Sequence, residues 1–174
     1  KYIEFSNIFC FDKTNKIDFK SLSNGQIIEV FGPNGSGKSS LMDIISFSLF
    51  GKCSRGNAGK NIVRKGAKTY HVEVIFSVNG KYYRIERMGS KMNTKKPKTE
   101  TYIFELVGDN QSRPITLSTQ KEPTQLISDL VGNLETFELT QFMNTGQHQR
   151  SFLEETNASR KNILSTLLGM NRFK

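Results

Sequence analysis

Hydrophobic and polar positions change period three times along the chain, and each change marks a different kind of element. Up to residue 31 the apolar positions fall in short strand-length pieces. Residues 2–9 are rich in aromatic and branched side chains, 16–19 alternate, and 26–31 form a compact apolar run after the turn Ser23-Asn24-Gly25. Beyond Gly37 the spacing becomes helical, with Leu41, Ile44, Ile45, Phe47 and Leu49 on one stripe and Gly51 as the stop. From Tyr70 the period is two: Tyr70, Val72, Val74, Phe76 and Val78 alternate with His71, Glu73, Ile75 and Ser77. Asn79-Gly80 then predicts a tight hairpin turn into a returning strand over 82–87, because both residues tolerate the left-handed backbone that such a turn needs. A third strand is expected over 101–107, with 91–98 as an exposed lysine-rich loop. The last third reads as helices: one from Pro123 to a stop at Gly132, and a final one from about Thr156 with Ile163, Leu164, Leu167 and Leu168 on one side, capped by Thr156 or Asn157.

Charge sharpens this division. The 174 residues carry a net +9, yet thirteen Lys or Arg lie between Lys52 and Lys98 against only Glu73 and Glu86. Outside that segment acids slightly outnumber bases, so the basicity is regional and suits a polyanion-facing surface. A hydrophobic content of 36% and a charged content of 24% fit an ordinary globular domain. The apolar runs are too short to span a membrane, and the opening residues lack the order of a secretory signal, so an intracellular setting is expected. Cys10, Cys53, His71 and His148 have no zinc-ligand spacing, and the two cysteines are expected to be reduced thiols.

The chemistry concentrates in Gly32-Pro33-Asn34-Gly35-Ser36-Gly37-Lys38-Ser39, which matches the phosphate-binding pattern G-x-x-x-x-G-K-S at every position. Successive backbone N–H groups can wrap a polyphosphate only where side chains do not obstruct it, which accounts for Gly35 and Gly37. Lys38 brings a mobile charge to the terminal phosphates, and Ser39 offers Mg²⁺ a hard oxygen. The loop should lie between a buried strand, residues 27–31, and the helix over 39–50, whose amides point at the phosphates. ATP with Mg²⁺ is the expected ligand. A hydrolytic site also needs an apolar strand ending in acid to hold the metal and orient water. No such strand occurs in these residues, and there is no Leu-Ser-Gly-Gly element; Asn144-Thr145-Gly146-Gln147 is the nearest string. These residues therefore predict a nucleotide cradle that is inactive in hydrolysis by itself.

The Gly-Pro-Asn-Gly-Ser-Gly-Lys-Ser-Ser loop, the helix ending Leu49-Phe50-Gly51, the Asn-Gly hairpin closing on Tyr82-Tyr83-Arg84-Ile85-Glu86-Arg87 and the glutamine-bearing segment before a leucine-rich helix together resemble the N-terminal half of an ABC-type ATPase head. The resemblance is to the SbcC and SMC group, nearest to SbcC-type double-strand-break repair ATPases, and it covers nearly the whole chain. It implies an α/β P-loop NTPase fold in one lobe: a P-loop core over 1–51, a basic antiparallel β-subdomain over 52–118, and a helical segment over 119–174 that carries the glutamine loop and leads into a coiled coil. It further implies that the acidic strand and the Leu-Ser-Gly-Gly element belong to a C-terminal half of the same head. A second head would close on two ATP molecules in a homodimer that hydrolyses ATP, DNA would be engaged without sequence preference, and an SbcD-type nuclease subunit would be controlled by that closure.

Carried over by position, the resemblance gives Asn34, Gly35, Ser36, Gly37, Lys38, Ser39 and Ser40 to the triphosphate, Ser39 to Mg²⁺, and Val63, Arg64 and Lys65 to the stretch near base and ribose. Gln147 is favoured for the Mg²⁺ or water contact by its spacing to Phe152-Leu153, with Gln141 as the alternative. The family's early asparagine is present as Asn7, but Phe9 stands where an Arg or Lys is usual. Arg55, Lys60, Arg64, Lys65, Lys68, Lys95, Lys96 and Lys98 are the candidates for DNA phosphates. Tyr82 and Tyr83 read as strand packing rather than base-stacking platforms. Two other readings share the phosphate loop: the ATPase lobe of a Toprim-type nuclease, and the nucleotide-binding domain of a membrane transporter.

Overall fold

In the computed structural model, the described residues are 1–20, 29–53, 56–57, 61–90, 98–107, 111–115, 122–141 and 155–167. Six strands form one antiparallel sheet: β1 (Tyr2–Ser6), β2 (Asn15–Asp18), β5 (Thr69–Val78), β6 (Lys81–Ser90), β7 (Lys98–Val107) and β8 (Gln111–Pro114), in the spatial order β2-β1-β5-β6-β7-β8. A short second pair, β3 (Lys52–Cys53) with β4 (Gly56–Asn57), follows the phosphate-loop helix in the chain.

The long hairpin forms where the alternation places it. Asn79 (φ 50°) and Gly80 (φ 78°) are both left-handed, the backbone of a primed two-residue turn whose twist matches the strands it joins. Register then follows from burial parity: Val72 faces Arg87, Val74 faces Ile85 and Phe76 faces Tyr83. β1 inserts on the other side of β5, with Ile3 opposite Val74 and Phe5 opposite Val72. One face of the sheet thereby gathers Ile3, Phe5, Tyr70, Val72, Val74, Tyr83, Ile85 and Ile103, all buried.

Helix α1 (Lys38–Phe50) packs against β5 and β6, burying Ile44, Phe47, Leu49 and Phe50. The Phe47 and Tyr70 rings meet edge to face at 5.6 Å. Gly51, at φ 69°, closes the helix by donating its N–H to the Phe47 carbonyl. The next two carbonyls are taken by a side chain from the sheet. Arg87 on β6 donates from Nε to Ser48 O at 2.9 Å and from Nη2 to Leu49 O at 2.7 Å, while Nη1 reaches Thr101 Oγ1 on β7 at 2.7 Å. Burial pushes this guanidinium down to about 10, which leaves it charged at neutral pH.

The expected buried strand over 26–31 is not found in its described part. Glu29, Val30 and Phe31 are not in a strand, and Val30 and Phe31 are 54% and 84% exposed. An apolar run supplies propensity, but a strand exists only where a neighbour takes its amides, and no described residue pairs with these three. The expected loop at 91–98 lies mostly outside the described residues, and its last member, Lys98, opens β7.

The chain divides into two units, residues 1–126 and 127–174. In the second, α3 (Leu134–Gln141) starts from Asn133, whose side chain accepts the Thr136 N–H at 2.8 Å. α4 (Asn157–Leu167) is capped by Thr156, which accepts from Ser159 N at 3.3 Å. α2 (Glu122–Val131) runs across the division and ends at Gly132, φ 85°. The described residues contain no helix long and apolar enough to cross a membrane.

Candidate phosphate-binding site

The phosphate loop closes on α1 through glycine geometry. Gly37, at φ 99°, is the N-cap of α1, no side chain caps that end, and the first turn carries no acid. The first-turn amides are thus left for an anion, and the helix dipole favours one. Gly35 (φ 82°) has open space where a Cβ would stand, while a Cβ on Gly37 would lie 2.5 Å from Cys10 Sγ and 3.0 Å from the Phe11 ring. The loop is therefore pressed against residues 10 and 11 on one side and open on the other. Lys38 folds back over it, Nζ donating to Gly32 O at 2.6 Å and to Pro33 O at 2.8 Å. A phosphate offering better acceptors would draw this ammonium outward at small cost, because it is exposed.

A cavity of about 570 Å³ opens above the loop. Asn34, Gly35, Gly37, Lys38, Ser39 and Ser40 line it from the loop and the start of α1. Phe9, Cys10, Asn61, Val63 and Lys65 complete the lining, so segments far apart in sequence meet at the cavity. Their meeting is set by the chain around Ile8. That side chain is fully buried and its residue bridges both Phe11 and Val63, while Phe9 N–H donates to Ile62 O at 2.8 Å and Arg64 N–H to Asn7 O at 2.9 Å. Asn7 (φ 53°) and Phe9 (φ 51°) both adopt the left-handed backbone, which costs roughly 1–2 kcal/mol for such residues.

Of the residues expected near the ligand, Ser36 is in the loop but not in the cavity wall. Its N–H donates to Pro33 O at 3.2 Å, and its hydroxyl stands where a Cβ on Gly32 would come within 2.7 Å. Arg64 turns away, its guanidinium 3.8 Å from Asp12. Val63 and Lys65 flank it and do line the cavity. Gln141 ends α3 in the second unit, and Gln147 lies outside the described residues. Cys10 and Asn61 lie in the wall although no motif pointed to them; their proximity depends on the bridge between residues 8 and 63, which sequence spacing does not reveal.

The basic segment is partly spent on structure. Arg87 is buried at the end of α1, Lys81 pairs with Glu105 at 3.2 Å, and Arg84 lies over the Phe104 ring at 4.1 Å, 3.9 Å from Glu73. Lys52, Lys65 and Lys68 are exposed, while Arg55, Lys60, Lys95 and Lys96 lie outside the described residues. Tyr83 is buried and stacks on Phe76 at 5.7 Å; Tyr82 is half-exposed, with Lys1 Nζ 5.0 Å from its ring centre.

The profile of the AAA domain family matches residues 2–171. The chain belongs to this AAA domain family. Within it the chain is SbcC-like. It is 31% identical over 167 residues to the SbcC component of the nuclease SbcCD from Deinococcus radiodurans, a match covering 94% of this chain and 18% of that protein. The SbcC component from Staphylococcus aureus gives 29% over 167 residues, 91% of this chain and 16% of that one. An uncharacterized protein of Acanthamoeba polyphaga mimivirus gives 29% over 177 residues, covering 99% of this chain and 13% of its own length. The chain thus spans less than a fifth of each of these relatives. With this AAA domain the resemblance to an SbcC-like ATPase head, drawn from the loop and the hairpin, is met by the comparisons.

Proposed function

We propose that this AAA domain is the ATP-binding half of a DNA-repair ATPase head, whose ATP-dependent pairing with a second head controls DNA binding and an associated nuclease. The observation that carries this reading is the phosphate loop at the uncapped N-terminus of α1, with Lys38 and Ser39 in the wall of the cavity. Lys38 holds the terminal phosphates in exchange for the Gly32 and Pro33 carbonyls it now contacts. The glycine-lined amides and the dipole of α1 bind the negative charge. Ser39 would give Mg²⁺ one hard oxygen, with Gln147 or Gln141 as the second donor; the ion, when bound, neutralises phosphate charge.

The acidic strand and the Leu-Ser-Gly-Gly element come from a C-terminal half of the same head, and hydrolysis needs both halves and the second head. Exposure of the apolar Val30 and Phe31 beside the loop supports such a covering half. The names of the SbcC relatives support an SbcD-type nuclease partner. Exposed Lys52, Lys65 and Lys68 support contact with DNA phosphates of any sequence. The test is sedimentation and DNA binding of the purified protein with and without Mg-ATP. ATP should promote self-association and tighten DNA binding in the unmodified protein, and neither response should appear in Lys38→Ala. ATP responses that persist in Lys38→Ala would reject the assignment.

A further inference from the structure

We infer that Phe11 is a positioning residue for triphosphate binding, its ring propping the phosphate loop on the core of the sheet. The inference rests on the reading that the loop at 32–39 takes the phosphates. Residues 32–36 are exposed, and Gly37 is where the loop meets the chain at residues 10 and 11. A Cβ on Gly37 would stand 3.0 Å from Phe11 Cζ and 3.3 Å from its Cε2, so the tip of the ring faces the loop. The same ring meets Phe5 edge to face, centroids 5.1 Å apart and planes at 72°. Phe5 is 1% exposed on β1, opposite Val72 of β5. One ring thus joins the buried face of the sheet to the N-cap of α1.

The prop is itself held. Phe11 N–H donates to Ile8 O at 2.9 Å, the two residues form a bridge, and Ile8 is wholly buried. Cys10 adds little, since its Sγ is 4.0 Å from Ser36 O and a thiol is a weak donor. Gly37 is at φ 99° with no side chain capping the helix there, so its backbone keeps one conformation only where packing holds it. The loop amides bind phosphate well when they already converge, because a loop ordered on binding subtracts its entropy from the affinity. Phe11 is not among the residues that line the cavity, so it acts through the loop and not on the ligand.

The experiment is calorimetric titration of the purified protein with ATP and with inorganic tripolyphosphate, both in Mg²⁺, alongside urea denaturation. Phe11→Leu keeps apolar bulk on Phe5 but removes the ring tip. It should weaken both probes equally, by about ten-fold, the cost of re-ordering roughly one backbone residue. Phe11→Tyr keeps the ring and adds an oxygen at Cζ, the atom facing Gly37. It should retain the urea midpoint yet weaken both probes by at least about three-fold, because the oxygen presses on the loop. In Phe11→Leu the further change Gly37→Ala should cost less affinity than it does alone, since the loop can then yield. Both single variants binding both probes within about two-fold of the unmodified protein would overturn the inference, whatever the urea midpoint, and leave Phe11 as core packing alone. A loss for ATP without one for tripolyphosphate would overturn it too, as would losses that simply add in the double variant. If the unmodified protein binds neither probe, the phosphate-loop reading itself fails and takes this inference with it.

Discussion

Replacing Arg87 tests how the sheet holds the phosphate-loop helix. Its three donors meet Ser48 O, Leu49 O and Thr101 Oγ1, and the residue is 5% exposed. The last carbonyls of a helix have no partner within it, and here Gly51 N–H already serves Phe47. In Arg87→Met the carbonyls of Ser48 and Leu49 lose these donors in a buried setting, at about 1–3 kcal/mol each. Loss of a cation at the negative end of the helix dipole adds about 1 kcal/mol. Against this, the guanidinium held down to about 10 marks a burial penalty of about 3 kcal/mol that the neutral methionine escapes. The middle of these ranges is a net loss of about 2 kcal/mol. Arg87→Lys should be destabilised at least as much, because an ammonium keeps the burial penalty and cannot present the three-way fork. Urea denaturation would read this as a lower midpoint at unchanged slope. Both variants within about 0.5 kcal/mol of the unmodified protein, or full rescue by lysine, would refute the reasoning.

Three further expectations follow from single contacts. Gly89→Ala would place a Cβ 2.5 Å from Tyr70 Cε1, so the ring that packs on Phe47 must move; a loss of about 1–3 kcal/mol is expected in the same denaturation assay. Gly37→Ala combines a φ of 99° with a 2.5 Å approach to Cys10 Sγ, and should weaken ATP binding by at least about ten-fold in calorimetry while leaving the hairpin's circular dichroism unchanged. Burial, then the hydrogen bond to Glu73, pushes the Tyr2 hydroxyl up to about 12. The protonated form is thus favoured in the fold, and its contribution is whole below about pH 10 and lost as pH rises toward 12. Tyr2→Phe should flatten the fall in stability over that window; an identical alkaline profile would count against the contact.

Much of this architecture was legible because its cues are local. Asn79-Gly80 between alternating runs gave the β5–β6 hairpin, and the eight-residue loop with the helical stripe after it gave α1. What escaped depends on what each segment meets in the fold rather than on its own pattern. β8, Gln-Ser-Arg-Pro, has no apolar pattern and exists because β7 offers its edge, where a proline costs no ladder bond on the open side. Residues 29–31 look like a strand and are not one, since apolar content cannot supply a neighbour for their amides. Arg87 reads as one more surface cation in a basic segment, yet it shares parity with the buried Tyr83 and Ile85, and that parity was the available signal. In the site, the phosphate end was evident from glycine spacing. The wall at Phe9 and Cys10 was not evident as a unit with residues 61–65, because it depends on the bridge from Ile8 to Val63.

The central claim is that the loop at 32–39 binds a nucleoside triphosphate through Lys38. Equilibrium dialysis of Mg-ATP against the unmodified protein and Lys38→Ala, with folding of both checked by circular dichroism, tests it most directly. Saturable binding in the unmodified protein and loss of that binding in folded Lys38→Ala is the predicted result. Equally tight ATP binding by the two proteins would contradict the account.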